Sequence, residues 1–252
     1  MNTINGMTFH RSGEVEGITV NRIPLRDTLR FAPEILKIMH SAYMRQFVEV
    51  VPTEDDVLDS REITRSQNEL YPAKTGSRLS AGAVNAQFGP DNIVRQTLRM
   101  NESIKDGSTY WITRSGSYPN NSHDYNGVLK TSPSAPGKIS RFFKSPNCFV
   151  NDMATTEEDT GIWSAMMFTG LSDFRDDRKV VTRAQAGNDV ENSWLKEVGF
   201  EDKGKVGYLE IGGEQVGQYN YEAGSVSIVR VALLQMEPWL ADGLPHPRYI
   251  TP

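Results

Sequence analysis

The chain has 252 residues, a length that fits one domain with a substantial insertion, because single hydrophobic cores stop growing at about 250 to 300 residues. Hydrophobic residues make up 38% and charged residues 23%, which excludes a disordered, highly charged chain. The net charge of −5 argues against a broad nucleic-acid surface. The sequence has no membrane-length apolar run and no signal-peptide pattern, so we expect a cytoplasmic protein without membrane contact.

Cysteine and histidine content gives no support for a metal site. Cys148 is the only cysteine, which excludes an internal disulfide and a cysteine-based zinc cluster. It begins an apolar strand pattern, which favours buried packing over a nucleophilic role. The four histidines have no HxxxH or HxH spacing. We therefore expect no bound metal.

The chain opens with a predicted strand and a predicted helix. Residues 17 to 25, GITVNRIPL, are rich in β-branched side chains and end at a proline. After Asp27, apolar residues recur at helical intervals, and Pro33 is tolerable only near the first turn or at a kink. The predicted apolar stripe consists of Leu29, Ile35, Leu36, Met39, Tyr43 and Phe47.

Residues 53 to 106 are predicted to be a polar insertion. The segment is acidic at TEDD and is interrupted by several glycines and prolines, so only DNIVRQTLRMNESI, at residues 91 to 104, is predicted to be helical. So long a connection in a compact domain indicates a lid over a site or an arm for a partner. We interpret residues 1 to 252 as one domain with this insertion and a C-terminal tail at about 236 to 252.

Alternating strand and helix patterns fill the remainder of the chain. Strands are predicted at STYWITRS, VLKTS and NCFVNDMAT, followed by an amphipathic helix at GIWSAMMFTGLSDF. A strand at KVVTRAQA and a helix at DVENSWLKEVGF come next. The pattern then predicts one bent strand at GYLEIGGEQVGQYNYE and a closing strand at SVSIVRVALLQM.

Three short strings on these elements carry a family resemblance. NDMAT ends a strand, GIWSAMM opens a helix, and VVTRAQAGNDVENSWLKEVGF places Asn188, Gly199 and Phe200 around a second helix. In this order they resemble the GCN5-related N-acetyltransferase (GNAT) superfamily, over residues 108 to 234 and more weakly over 17 to 48. The resemblance implies an α+β fold in α/β/α layers, with a central mixed, mostly antiparallel sheet flanked by helices.

The resemblance also implies a site for acetyl-CoA or another acyl-CoA. Two neighbouring parallel strands, residues 148 to 155 and 179 to 186, should diverge near Met153, with the helix at about 161 to 174 between them in sequence. The diverging edge would pair with the pantetheine arm, and the helix N-terminus would face the pyrophosphate. The implied cofactor-binding residues are Met153, Ala154, Thr155, Glu158, Gly161, Ile162, Trp163, Ser164 and Asn188. Asn188 is equally a helix cap.

The loop before this helix departs from the family pattern. Aligned with a gap, Glu158, Gly161 and Trp163 occupy the signature positions; aligned without one, Thr160, Trp163 and Ala165 do. Trp163 replaces a small residue in both alignments, so its indole could fill the pyrophosphate volume. Glu158 adds a negative charge there, and TEEDT is equally a solvated acidic helix start.

Asp152 is the candidate catalytic base, because the family often places a carboxylate at this strand end; the alternative is a residue that only makes local hydrogen bonds. The family's proton-donating tyrosine is replaced by Leu195, which cannot donate a proton. Tyr208, Tyr219 or Tyr221 could reach the site, although aromatic side chains also favour strand surfaces for packing.

Two functions from different classes follow. The first is an acyltransferase that moves an acetyl or other acyl group from acyl-CoA to a small-molecule or peptide amine acceptor. The second is a catalytically degenerate GNAT-fold structural or interaction protein, which Trp163, Leu195 and Glu158 favour. A protein partner or a second copy would then contact residues 53 to 106 and the C-terminal tail.

Overall fold

The computed structural model describes residues 6–11, 16–48, 79–117, 125–132, 148–156, 160–172, 178–186, 188–236 and 239–242. The predicted position of Glu158 lies outside these residues, as do residues 49 to 78 of the insertion and 243 to 252 of the tail. The single-domain organisation therefore stays a prediction.

Nine strands and six α-helices are present in the described residues. The strands are β1 (Gly6–Arg11), β2 (Glu16–Ile23), β3 (Thr109–Ser117), β4 (Gly127–Ser132), β5 (Cys148–Thr155), β6 (Lys179–Gln185), β7 (Glu201–Ile211), β8 (Glu214–Gly224) and β9 (Trp239–Asp242). The helices are α1 (Thr28–Phe47), α2 (Ala81–Phe88), α3 (Ile93–Lys105), α4 (Thr160–Ser172), α5 (Asp189–Glu197) and α6 (Ser225–Gln235), with 3-10 turns at Leu25–Asp27 and Pro90–Asn92.

The described strands form one sheet in the order β7-β8-β6-β5-β4-β3-β2-β1-β9. Among these strands only β5 and β6 pair in parallel, and the other neighbouring pairs are antiparallel. Helix α4 connects this parallel pair, as a crossover between parallel neighbours requires. The predicted mixed, mostly antiparallel sheet is confirmed.

Helices cover both faces of the sheet. On one face, α1 contacts β4 and β5 and α3 contacts β3, and the core there includes Ile35, Ile38, Ile112 and Val128. On the other face, α4 lies across β1 to β5 and is itself covered by α6. We call these the α1 face and the α4 face. Together they give the predicted α/β/α layers.

Helix α1 confirms the predicted helix with one error in its apolar stripe. Ile35, Leu36, Tyr43 and Phe47 are buried, whereas the Leu29 side chain is 67% exposed. Leu29 follows the buried Thr28 in the first turn, so it lies on the solvent side of the helix. Pro33 lies inside the helix.

Helix α4 is not the amphipathic helix that the sequence predicted. Every residue from Ile162 to Leu171 is buried. The sheet covers one side of the helix and α6 contacts another, so no broad polar face is needed.

Two predictions for the C-terminal part were wrong. Residues 207 to 222 are not one bent strand, because Gly212 and Gly213, with φ of 57° and 91°, form the turn of a hairpin between β7 and β8. Residues 225 to 235 form helix α6, although the β-branched side chains favoured a strand. The buried residues repeat at helical intervals: Ser225, Ile228, Val229, Ala232 and Met236.

The structure also adds elements that the sequence analysis missed. Strand β1 pairs with β2, and β9, from the predicted tail region, pairs with β1. Helix α2 occupies residues predicted to be irregular, and the Ser80 hydroxyl caps it by accepting from Ala83 N at 3.1 Å. The predicted helix at 91 to 104 is confirmed as α3 and its preceding turn.

Two sequence-based expectations concern burial and membranes. Cys148 is fully buried, and burial raises the pKa of its thiol to about 12, as fits a packing role. None of the described helices combines the length and the hydropathy that crossing a bilayer requires.

Candidate functional site

Strands β5 and β6 separate part of the way along their length. Parallel pairing joins Cys148 to Val180 and continues only as far as Val150 and Thr182. The register between β5 and β4 shifts by one residue at the same point, so Asn151 forms a β-bulge. A bulge bends its strand and increases local twist, which directs the rest of β5 away from β6. The predicted divergence is confirmed, but it begins at Val150 rather than near Met153.

This separated parallel pair, with α4 between its strands in sequence and α5 after it, is the arrangement that the family resemblance implied. The fold is GNAT-like.

A cavity lies on the α1 face beyond the point where the strands separate. A water-sized sphere can reach about 20 Å³ of it, within about 400 Å³ of space between atoms that includes open solvent. Helix α1 forms one wall, the separated strands form the floor, and the first turn of α5 contributes one side chain. The lining residues are Met39, Ala42, Tyr43, Gln46, Asn151, Asp152, Met153, Ala154, Thr182, Arg183, Gln185 and Glu191.

Glu191 is a buried carboxyl group at this cavity, with a residue exposure of 7%. Asn188 caps α5, because its Oδ1 accepts from Glu191 N at 3.1 Å, and its Nδ2 donates to Glu191 Oε2. Burial disfavours the charged carboxylate and raises the pKa of Glu191 to about 8. The group is therefore mainly neutral at pH 7.

Asp152 is in a different environment at the same cavity. Its side chain is 42% exposed, and its Oδ2 lies 3.9 Å from Lys130 Nζ. Lys130 Nζ also lies 5.4 Å from the centre of the Tyr110 ring. The three residues are register partners on β3, β4 and β5, so the sheet itself holds this row. A weak ion pair thus accompanies the candidate base.

Tyr43 of α1 lines the same cavity as these two acids. Burial is the main cause of its raised pKa, and the negative charges of Asp152 and Glu191 raise it further. The phenol therefore keeps its proton and can act as a hydrogen-bond donor at the cavity.

Two of the predicted cofactor-binding residues lie on the edge of β5 that no longer pairs with β6. Thr156 N donates to Asn126 O on the β4 side at 2.8 Å. Because backbone groups alternate between the edges of a strand, those of Met153 and Thr155 are directed to the other edge. There Arg45 of α1 donates to Thr155 O at 3.3 Å and also to Thr156 O. Ala154 is buried in the α1-face core.

Trp163 is a buried residue in the first turn of α4. Its side chain is 2% exposed and packs edge-on against Trp194, with ring centres 5.3 Å apart. Its Nε1 donates to Thr155 Oγ1 at 2.9 Å. The indole therefore packs inside the protein, and its role at a pyrophosphate stays a prediction.

Other predicted residues at the start of α4 also have buried side chains. Ser164 is fully buried and donates to Gln235 Oε1 of α6 at 2.6 Å, and Ile162 lies in the α4-face core. Gly161 is half-buried in the first turn. Backbone groups of this turn could meet a ligand, and their role stays a prediction.

The alternative proton donors considered from sequence do not line the cavity. Leu195 is fully buried, as a packing residue. Tyr221 is buried and donates to Asn192 Oδ1 at 2.9 Å, whereas Tyr208 is 59% exposed beside Lys205. Tyr219 packs against the α4-face core.

Sequence analysis missed Glu191, Arg45 and the site position of Tyr43. The pattern Asn188-x-x-Glu191 at a helix start could have indicated a capping residue and its partner. No sequence signal indicated that the Glu191 carboxyl would be buried. In the described residues, no group of three or more histidine, cysteine or acidic side chains could hold a metal ion.

No protein-family model matches the chain, and no curated protein sequence is significantly similar to it. Among solved structures it is similar to RimJ of Mycobacterium smegmatis in complex with CoA-disulfide, with a TM-score of 0.49, 11% identity and coverage of 92% of this chain and 95% of that chain. It is also similar to a GNAT superfamily phosphinothricin acetyltransferase from Sinorhizobium meliloti in complex with AcCoA, with a TM-score of 0.47, 12% identity and coverage of 82% and 88%.

Proposed function

We propose that this protein transfers an acyl group from acyl-CoA to an amine acceptor. The observation that carries the proposal is the cavity at which β5 and β6 separate, because it brings an open strand edge and two carboxyl groups together. An open edge can pair with an amide-containing chain, and carboxyl groups can exchange protons with an amine and a thiol. A cavity that arises only from packing would need neither an open strand edge nor carboxyl groups.

The residues present fit the parts of an acyl-CoA. Met153 directs its backbone groups to the open edge, which suits an amide of a pantetheine arm, and Thr155 O on the same edge accepts from Arg45. Helix α4 begins at Thr160, five residues beyond the end of β5, and a helix N-terminus favours an anion such as pyrophosphate. When bound, acyl-CoA supplies an activated thioester.

Asp152 is the proposed base. Its exposed carboxylate lies at the cavity beside Lys130, where an amine acceptor can approach it from solvent. It would accept the proton that the amine loses on attack, directly or through a water molecule. The remaining cavity residues orient the acceptor and limit the entry of water.

A catalytically degenerate GNAT-fold interaction protein is the second candidate, and one contact favours it. Arg45 donates to the carbonyl oxygens of Thr155 and Thr156, which lie where β5 leaves the sheet. A pantetheine arm that paired with this part of β5 would have to share these carbonyl oxygens with the Arg45 guanidinium or displace it. In this case the separated strands would be retained for their shape, and the protein would act through a partner.

Calorimetric titration with acetyl-CoA separates the two candidates. We expect wild-type protein to bind with a micromolar dissociation constant and to release CoA thiol when hydroxylamine is supplied as a small amine acceptor. Asp152→Asn should bind equally well but lose about 10²-fold in turnover, the usual contribution of a positioned base. Folded wild-type protein that binds no acetyl-CoA at millimolar concentration would exclude the acyltransferase proposal and leave the interaction protein.

A further inference from the structure

We propose that Glu191 is the general acid of this reaction, which donates a proton to the departing thiolate while Asp152 serves as the base. This inference rests on the proposed function and assigns one further catalytic residue to the same site. Both carboxyl groups line the cavity, Asp152 from β5 and Glu191 from the first turn of α5.

The position of Glu191 leaves one carboxyl oxygen for proton transfer. Asn188 Nδ2 donates to Oε2, so the proton of the neutral acid belongs on Oε1. The cap bond between Asn188 Oδ1 and Glu191 N fixes the helix turn that carries the side chain. Glu191 is thus held at the cavity by its own helix rather than by a cation.

Opposite environments assign opposite roles to the two acids. Glu191 is 7% exposed, and burial raises its pKa to about 8, so it holds a proton at pH 7. Asp152 is far more exposed, and its Oδ2 lies 3.9 Å from Lys130 Nζ. The other ionisable groups at the cavity are Tyr43, which keeps its proton, and Arg183 on β6. Two carboxyl groups in such different environments can serve as an acid and a base.

The bonds and protons of the step balance. The acceptor nitrogen forms a bond to the thioester carbonyl carbon and loses a proton to Asp152. The bond between that carbon and sulfur breaks, and the sulfur takes the proton of Glu191, which gives an amide and the free thiol. Solvent then returns a proton to Glu191 and removes one from Asp152.

The acid strength of Glu191 suits this leaving group. A thiol has a pKa of about 8.5, so an acid with a pKa of about 8 can protonate a departing thiolate and still be protonated at pH 7. A carboxyl group with its ordinary pKa would be ionised and could not donate. Leu195, one turn further along α5, has no proton to give.

The test compares Glu191→Gln with the matched control Glu197→Gln, which changes an exposed glutamate on the same helix. Turnover of acetyl-CoA with hydroxylamine is measured from pH 5 to 10, together with acetyl-CoA affinity by calorimetry. We expect wild-type turnover to fall as pH rises through about 8, because Glu191 loses its proton. Glu191→Gln should lower turnover by about 10²-fold and abolish this alkaline decline, with affinity retained, and the control should match wild type.

Two kinetic results would overturn the assignment while leaving the proposed function intact. One is unchanged turnover in Glu191→Gln. The other is reduced turnover that still declines with the same alkaline midpoint, which would mean that Glu191 only positions other groups. A wild-type protein that binds no acetyl-CoA would instead remove the proposed function itself.

A measurement on wild-type protein keeps the inference testable if Glu191→Gln does not fold. Carbon-13 NMR of the glutamate side-chain carboxyl carbons can follow the titration of Glu191 without any substrate. We expect a midpoint near 8. A midpoint near 4.3, the ordinary value for glutamate, would overturn the role as acid.

Discussion

The α4-face core and the cavity hold buried polar groups of different kinds. In the α4-face core, Ser164 and Trp194 both donate to Gln235 and Trp163 donates to Thr155, while Trp111 Nε1 and Thr169 Oγ1 have no hydrogen-bond partner among the described residues. At the cavity, Glu191 is buried with only its own cap residue as a hydrogen-bond partner in the described chain. Mutually satisfied groups stabilise a core, whereas a buried acid at a cavity is suited to a ligand.

The largest expected change in stability comes from Trp163→Ala on the α4 face. Removal of this buried indole leaves a cavity beside Trp194 and should lower the free energy of unfolding by about 3 to 5 kcal/mol, measured by urea denaturation. Trp163→Phe keeps most of the volume and loses the bond to Thr155, so it should cost much less. If both variants lower the free energy of unfolding equally, packing of the indole is not the main source of its stabilising effect.

Glu191→Gln should change how stability depends on pH. The pKa of Glu191 is about 8 in the folded protein and near 4.5 when unfolded, so its contribution is fully present below about 4.5 and is lost as pH rises through 8. Relative to the variant, wild type should lose up to about 1.4 kcal/mol per pH unit within that window. Parallel stability profiles from pH 5 to 8 would contradict the buried acid.

Gly212→Ala should weaken the attachment of the hairpin to α2 on the α1 face. Gly212 has φ of 57°, and an added Cβ would lie 2.1 Å from Ala83 O. We expect a loss of about 1 to 3 kcal/mol in the free energy of unfolding. Gly213→Ala is the matched control, because its positive φ is similarly unfavourable but its Cβ would meet no atom within 4 Å. If Gly212→Ala lowers the free energy of unfolding no more than Gly213→Ala does, the close approach to Ala83 does not contribute to the effect.

The smallest effect is expected for Gln235→Leu. It removes the shared acceptor of Ser164 and Trp194, which should lower the free energy of unfolding by about 1 kcal/mol without changing acetyl-CoA affinity. Leu234→Ala, at a position 67% exposed on the same helix, should have less effect. Thermal melting and calorimetry of the two variants check the expectation, and lost affinity in Gln235→Leu would place the network within the binding site.

Local sequence patterns determined the central part of the fold. The apolar runs of β5 and β6 and the helical string between them predicted these elements, and the family resemblance implied the parallel pairing and the divergence that the structure confirms. The pattern failed where local preference and tertiary packing disagreed. Valine and isoleucine favoured a strand at residues 225 to 236, but these residues bury a helical stripe against α4. The glycine pair at 212 and 213 was a hairpin signal that the predicted bent strand ignored.

The chemistry of the candidate site depended on tertiary structure. The sequence by itself determined that Asp152 lies on a strand and that Asn188 begins a helix. It could not determine that Tyr43, Asp152 and Glu191 share one cavity, because they come from α1, β5 and α5, which are distant in the chain. Nor could it determine the direction of the Trp163 indole. The proton affinity of a carboxyl group depends on the solvent and charges around it, and packing of distant segments sets both.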